Sequence, residues 1–577
     1  MKSQFQRSME RNKLESAGQE RKRNNEIIFY VLAFVVAAGL RFIKLGELPL
    51  SGGEANLALQ ALDAVKGIDT SVSSQPGYIA LTALLFSIFS ATGFWACFWP
   101  ALAGSVIVFI PFLFKELLGS RCSILLAFLF AIDAGLVAVS RSASGTMITI
   151  VGLLAAIGFL YKKRSLWAGI CAGFFILGGF ASCPALIAMG IVALLLLLIY
   201  SKNKPQTRLL DGINGKQFFS AFIAAIFFIG TGFILFPSII NGLGTGIHDY
   251  FTTFVSHDGV SIKLILISLP ISEVLTLPLA IWGLVIGIKR REKFSYILGY
   301  SIIILALLSL LNPSRQVADW VWPIIPLTIL AAIGLENIFE KFTSNEIGVT
   351  SVQAVLTVIL IVFSFLNLLS MMNNPPVDAP TLRISIIEVA LPLAFLIVVT
   401  LLMAFGWSMA AARQGLLVGF GFVLLFVTFS TSIKAAGLGP RPEMEFWHSG
   451  AVPTGSALLV KTTTELSLYS TGTENRIDIV IVDADSSELR WSLHNYENLK
   501  TIEYIGETDK PAIIISDLDS LIGSAASYRG QEIHWTTQVD YDNMSASDWL
   551  MWFTIRQAPT IEQSLLIWAR NDLFAGS

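Results

Sequence analysis

Ionisable side chains are scarce among the apolar segments of this chain. Those expected on the outer side, within or beside the bilayer, are carboxylates (Glu54, Asp133, Glu273, with Asp63 and Asp319) and arginines (Arg41, Arg141, Arg315). A charge at the centre of a membrane helix costs about 2.5–3.5 kcal/mol, so such residues usually serve something. Glu54 opens the segment SGGEANLALQALDAVKG. One reading is structural: Ser51-x-x-Glu54 is a capping box, with the carboxylate returning a hydrogen bond to the Ser51 backbone. The other makes Glu54 a general base at the water–lipid boundary, where partial desolvation raises a carboxyl pKa towards a useful value. Asp133 interrupts LLAFLFAIDAGLVAVSR. It reads either as a structural hydrogen bond or ion pair, or as a catalytic or acceptor-orienting group. Arg141 ends that segment and can anchor it among headgroups. Arg315 and Asp319 are four apart and can pair if their loop is helical. Glu273, in LPISEVLTLPL, lies too deep for a surface pair and is expected to be protonated or to face a polar cleft.

The elements that must position these groups are membrane helices. Hydrophobic residues make up 54% of the chain and charged ones 14%, against roughly 25% charged in soluble proteins. Mean hydropathy is +0.68. A soluble enzyme, a secreted disulfide scaffold and a disordered chain are excluded. With 39 basic and 41 acidic residues there is no nucleic-acid signature. Cys97, Cys122, Cys171 and Cys183 all sit in apolar segments and read as small hydrophobes.

A span needs about 20 apolar residues. That rule gives about thirteen, at 27–45, 97–117, 122–140, 146–161, 166–182, 184–200, 217–236, 264–288, 295–311, 320–339, 351–370, 385–405 and 415–433. A further stretch, 78–93, is taken to lie in or dip into the outer interface. If it crossed, the basic clusters KKR at 162–164 and KRREK at 289–293 would fall outside, against the positive-inside rule. The expected organisation is a basic cytoplasmic N-terminus (1–26), a transmembrane region (27–434) with a first outer loop at 46–96, and an extracytoplasmic domain (435–577). The run from Ile27 has no cleavage site and reads as a retained span. In the first outer loop, the stripe from Glu54 through Asp63 reads as an interfacial helix. From 435 onward, strand-like IDIVIV and AIIIS flank an amphipathic helix at 486–496 opened by a Ser cap, which is the pattern of a small α/β domain.

No cofactor is called for, although a divalent metal is left open. His248, Asp249, His257 and Asp258 read as a solvated loop rather than as ligands. There is no Walker motif and no GxGxxG at a strand–helix junction, so a nucleotide donor has no support.

The segments LRFIKLGELPLSGGEANLALQAL, IDAGLVAVSRSASG and RQVADWVWPIIPLTILAAIGL resemble polytopic glycosyltransferases of the C-type (GT-C) superfamily. Protein O-mannosyltransferases and lipid A aminoarabinose transferases belong to that superfamily. The likeness covers roughly residues 27–340. It implies a multi-span bundle with interfacial first-loop helices, and a sugar donor linked to a polyprenyl phosphate. It further implies an acceptor that is a lipid, glycan or protein, with membrane lipid around the site. On this resemblance Glu54, or Asp133, takes the acceptor proton. Arg141 or Arg315 stabilises the departing lipid phosphate, with Arg41 and Glu273 lining the substrate site. One feature departs from the pattern: family members carry Asp-Glu at the start of the first-loop helix, and here the pair is Gly53-Glu54. Two other readings compete. One is a weakly active or inactive relative that binds envelope glycans or proteins. The other is a transporter, against which stands the lack of paired repeats.

Overall fold

The computed structural model describes residues 24–68, 74–200, 212–257, 259–341, 347–376, 378–448, 450–482, 484, 486–506, 510–518 and 527–574. The basic segment up to Arg23, and Asp258, lie outside these.

The chain is a multi-pass membrane protein, a bundle of apolar helices followed by a small mixed sheet. Among the described residues, eight helices are long and apolar enough to cross a bilayer, or up to ten if each of two bent pairs is counted as one span. This is fewer than the thirteen expected from sequence. Three of the expected spans, at 146–161, 166–182 and 217–236, lie on helices of 16, 12 and 16 residues. At 1.5 Å per residue these fall short of a hydrocarbon core of about 30 Å. The stretch 78–93 falls on Pro76–Ile88, a helix whose side chains are mostly buried in protein rather than laid on lipid.

Burial is uneven across the bundle. Val317–Glu340 is the central helix, with 78% of its apolar window buried, whereas Ile347–Asn373 and Ala379–Gly406 bury 11% each. These two, with Met409–Ala435, form a peripheral group facing lipid. Lipid tails are as apolar as the helices, so small residues and hydrogen bonds must hold such a group together. Gly415 and Gly419 let the last helix close on Gln353 and Thr357. Gln353 donates to Thr400 (2.8 Å), and Ser364 donates to the Val389 carbonyl (2.7 Å).

The C-terminal sheet has the order β2-β1-β3-β5-β4, with β1 Ile479–Val482, β2 Leu499–Ile502, β3 Ile513–Asp517, β4 Tyr528–Val539 and β5 Thr560–Arg570. Parallel β2-β1-β3 pairing gives way to the antiparallel pairs β3–β5 and β5–β4. All four β1 residues are buried, so this strand reads in sequence as an uninterrupted apolar run. The long pair β4–β5, with helix Ala546–Ile555 between them, alternates with polar residues and left no such signature.

A buried ion pair ties together the root of the domain. Arg556 Nε donates to Glu445 Oε1 (2.6 Å), both side chains nearly enclosed, and the Arg556 guanidinium lies 4.1 Å from the Trp552 ring centroid.

Candidate active site

Two arginines and one aspartate solve a problem created by a broken helix. Ser120–Ile132 and Ala134–Arg141 meet at 53°, with Asp133 between them in extended conformation. A break within a bundle strands carbonyls at one side and N–H groups at the other, each costing several kcal/mol if unmet in apolar surroundings. The fully buried Arg41 donates to the carbonyls of Phe130 (3.2 Å) and Ala131 (3.0 Å), and the Ser432 hydroxyl takes that of Ile132. On the far side Asp133 Oδ1 accepts from Leu136 N (2.9 Å), as an N-cap. Arg41 reaches the break because residue 104 is glycine; a Cβ there would lie 2.6 Å from Arg41 Nε.

Arg141 returns the service to the first span. Its Nη1 donates to the carbonyls of Leu40 (3.1 Å), Arg41 (2.9 Å) and Ile43 (2.8 Å), and its Nη2 to that of Lys44 (3.1 Å). Arg41 thus caps the C-terminus of Ser120–Ile132 and Arg141 caps that of the first span, where a positive charge also meets the helix dipole favourably.

The second bent pair, Ile262–Ser272 and Thr276–Lys289, turns by 81° around Glu273. The Glu273 carboxyl accepts from the Thr276 hydroxyl and lies close to Asp133, and Glu273 Oε1 and Asp133 Oδ2 are both buried without a hydrogen-bond partner.

Glu54 lies near the opposite end of Ala134–Arg141, about 12 Å along an eight-residue helix. Both of its oxygens are engaged. Oε2 accepts from Ser51 N (2.9 Å) and Ser51 Oγ (2.8 Å), completing the capping box, and Oε1 accepts from Ala143 N (2.9 Å). This ties the first-loop helix Gly52–Lys66 to the loop just after Arg141.

Arg315 belongs to a third place, a loop packed on residues 253–260. Its Nη1 donates to the Asn312 carbonyl (3.2 Å), its backbone carbonyl accepts from Val260 N (2.9 Å), and its Nε is buried without a hydrogen-bond partner. Asp319 bonds Gln316 N (2.8 Å) as a cap instead of pairing with Arg315. The sequence-derived residues therefore fall into three groups: Arg41, Asp133 and Glu273 at the helix breaks, Glu54 and Arg141 at the first loop, and Arg315 apart.

Sequence reasoning missed the contribution from beyond residue 440. His448 lies close enough to Glu54 and Arg141 to feel both charges, and its buried Nε2 has no hydrogen-bond partner. Burial pushes the His448 pKa below its ordinary value, outweighing the upward pull of Glu54 and Glu445. Helix Ser487–Ser492 docks on the first-loop helices, with Trp491 stacked on Phe86 at 6.1 Å and His494 Nε2 bonded to the Ala91 carbonyl (3.1 Å). Among the described residues, no group of three or more His, Cys, Asp or Glu side chains could hold a metal ion.

The fold matches two crystal structures of ArnT from Cupriavidus metallidurans. The one bound to undecaprenyl phosphate aligns with a TM-score of 0.51 and 14% identity, over 85% of this chain and 93% of that one. The apo structure aligns with a TM-score of 0.51 and 13% identity, over 86% and 94%. Neither a protein-family model nor a curated protein sequence matches the chain. The architecture is that of a GT-C protein, C-terminal domain included.

Proposed function

We propose that this protein is a membrane glycosyltransferase that moves a sugar from a polyprenyl-phosphate donor to a lipid, glycan or protein acceptor on the extracytoplasmic face. The observation that carries the reading is the shared architecture, along nearly the full length of both chains, with a structure that holds undecaprenyl phosphate. Sidedness has support from contacts as well as from charge. Glu26 pairs with Lys115 and accepts from Ser120 (2.6 Å), and Lys162 pairs with Glu116 (2.5 Å). These gather the start of the first span and the KKR cluster at one end of the bundle. The first loop, Arg141 and the C-terminal domain gather at the other. The positive-inside rule makes the former end cytoplasmic.

In this reading Glu54 and Arg141 at the first loop form one part of the substrate site, and Arg315 in its separate loop another. Arg315 keeps an uncommitted donor for the lipid phosphate, while the Arg41–Asp133–Glu273 group fixes the helix that carries Arg141. The test is transfer from a labelled polyprenyl-phosphate sugar by the purified protein. Arg315→Ala is expected to lower turnover by about 10²-fold, and Glu54→Gln to lower it by loosening the first-loop helix from Ala143. Asp133→Asn, which still caps Leu136, is expected to stay within a few-fold of wild type. A second reading, a non-catalytic envelope-binding relative, is favoured by the commitment of both Glu54 oxygens. It prevails if wild type transfers nothing from any polyprenyl-phosphate sugar while retaining affinity for the lipid.

A further inference from the structure

The first-loop helix begins with two bare glycines, and they sit in different surroundings. A Cβ on Gly53 would meet nothing within 4 Å. A Cβ on Gly52 would collide with the Glu488 carboxylate, reaching 3.1 Å from its Cδ. Glu488 comes from the C-terminal domain, on the helix capped by Ser486, whose Oγ accepts from Leu489 N (3.2 Å). It is held in place from one side by buried Trp491, which stacks on Phe86, and by His494, which bonds the Ala91 carbonyl. Among the described residues its carboxylate makes no hydrogen bond or ion pair. Glu54, two residues from Gly52, has both oxygens occupied by Ser51 and Ala143. Of the two carboxylates at this helix end, Glu488 is the one with free lone pairs. A separate observation near Glu54 and Arg141 is the buried, unpartnered Nε2 of His448, which feels both of their charges. Such a nitrogen is costly to leave unmet.

We infer that Glu488, delivered by the C-terminal domain to the start of the first-loop helix, accepts the proton of the acceptor hydroxyl. This rests on the glycosyltransferase reading above. In the step, the acceptor O–H proton passes to Glu488 as the acceptor oxygen bonds to the anomeric carbon. The bond from that carbon to the phosphate oxygen breaks, and its electron pair leaves with the polyprenyl phosphate. The open space at Gly53 admits the acceptor against the backbone.

The experiment compares wild type, Glu488→Gln and the double variant Glu488→Gln/Gly53→Asp, reading kcat, KM, pH–rate profile and thermal midpoint. The single variant keeps the size and docking of the side chain. Its kcat is expected to fall about 10²-fold with KM within a few-fold, and the acid limb of the pH profile is expected to disappear. An aspartate in the open position at 53 is expected to restore at least a tenfold share of the loss. Wild-type kcat in Glu488→Gln overturns the inference alone, as does a loss that Gly53→Asp does not relieve, which assigns Glu488 to domain docking. A wild type that transfers no sugar overturns the underlying reading, and this inference with it.

Discussion

At the scale of single residues, Arg41 and Arg141 show how a guanidinium becomes tolerable in a bundle: each spends its donors on carbonyls that a helix end has left over. Replacing Arg41 by methionine strands the Phe130 and Ala131 carbonyls. It is expected to destabilise the protein by about 3 kcal/mol or more, read as a lowered thermal midpoint in detergent. The sequence flagged both arginines as costly, but their spacing could not say that the partners would be backbone atoms some ninety to a hundred residues away. Asp133 was more legible than it was taken to be, since an aspartate three residues before Leu136 is an ordinary N-cap signal inside an apolar run. His448 yields a pH prediction. Its pKa is lowered in the folded state, so the unfolded chain binds more protons below the ordinary value of 6.5. Stability is therefore complete above about 6.5 and lost as pH falls further, with Glu54, Glu445 and Arg141 facing the ring. Melting curves from pH 7.5 to 5 should show this decline, and it should shrink in His448→Gln.

At the scale of elements, the two bent helix pairs interrupt segments that hydropathy reads as single straight spans. Residues 122–140 and 264–288 are apolar enough to read as straight crossings, yet each breaks at its acid. Pro270 and Pro278 around Glu273 were the available sign. The ion pair at the root of the C-terminal domain is a second element-scale feature. Glu445 and Arg556 are enclosed together, so removing one leaves the other charge buried alone. Arg556→Met is expected to cost about 3–5 kcal/mol, seen as early unfolding of the C-terminal region by limited proteolysis. Strands β1 and β3 were visible in the sequence because buried central strands are apolar throughout. The docking face of helix Ser487–Ser492 was not visible, because its partners are set only by the tertiary fold.

At the scale of the whole molecule, the bundle has two chemically different ends, one holding Glu26, Lys115, Glu116 and Lys162 and the other the first loop and the sheet domain. Cysteines introduced at Lys162 and at Lys500 should be labelled by an impermeant reagent from opposite sides. Lys500→Cys should react in intact cells and Lys162→Cys only after permeabilisation. Native Cys97, Cys122 and Cys183 are buried and should contribute little background.

The hydrophobic cluster under the first loop draws its buried members from residues 45 to 239, with one addition, Trp491. During synthesis that cluster is laid down early and must wait, with a gap where the indole belongs, while some 250 further residues leave the ribosome. A nascent chain stopped after its last membrane helix would carry a greasy notch at the bilayer surface, a ready target for chaperones and quality-control proteases. Sealing of the first loop must therefore follow the emergence of the C-terminal domain that carries Trp491.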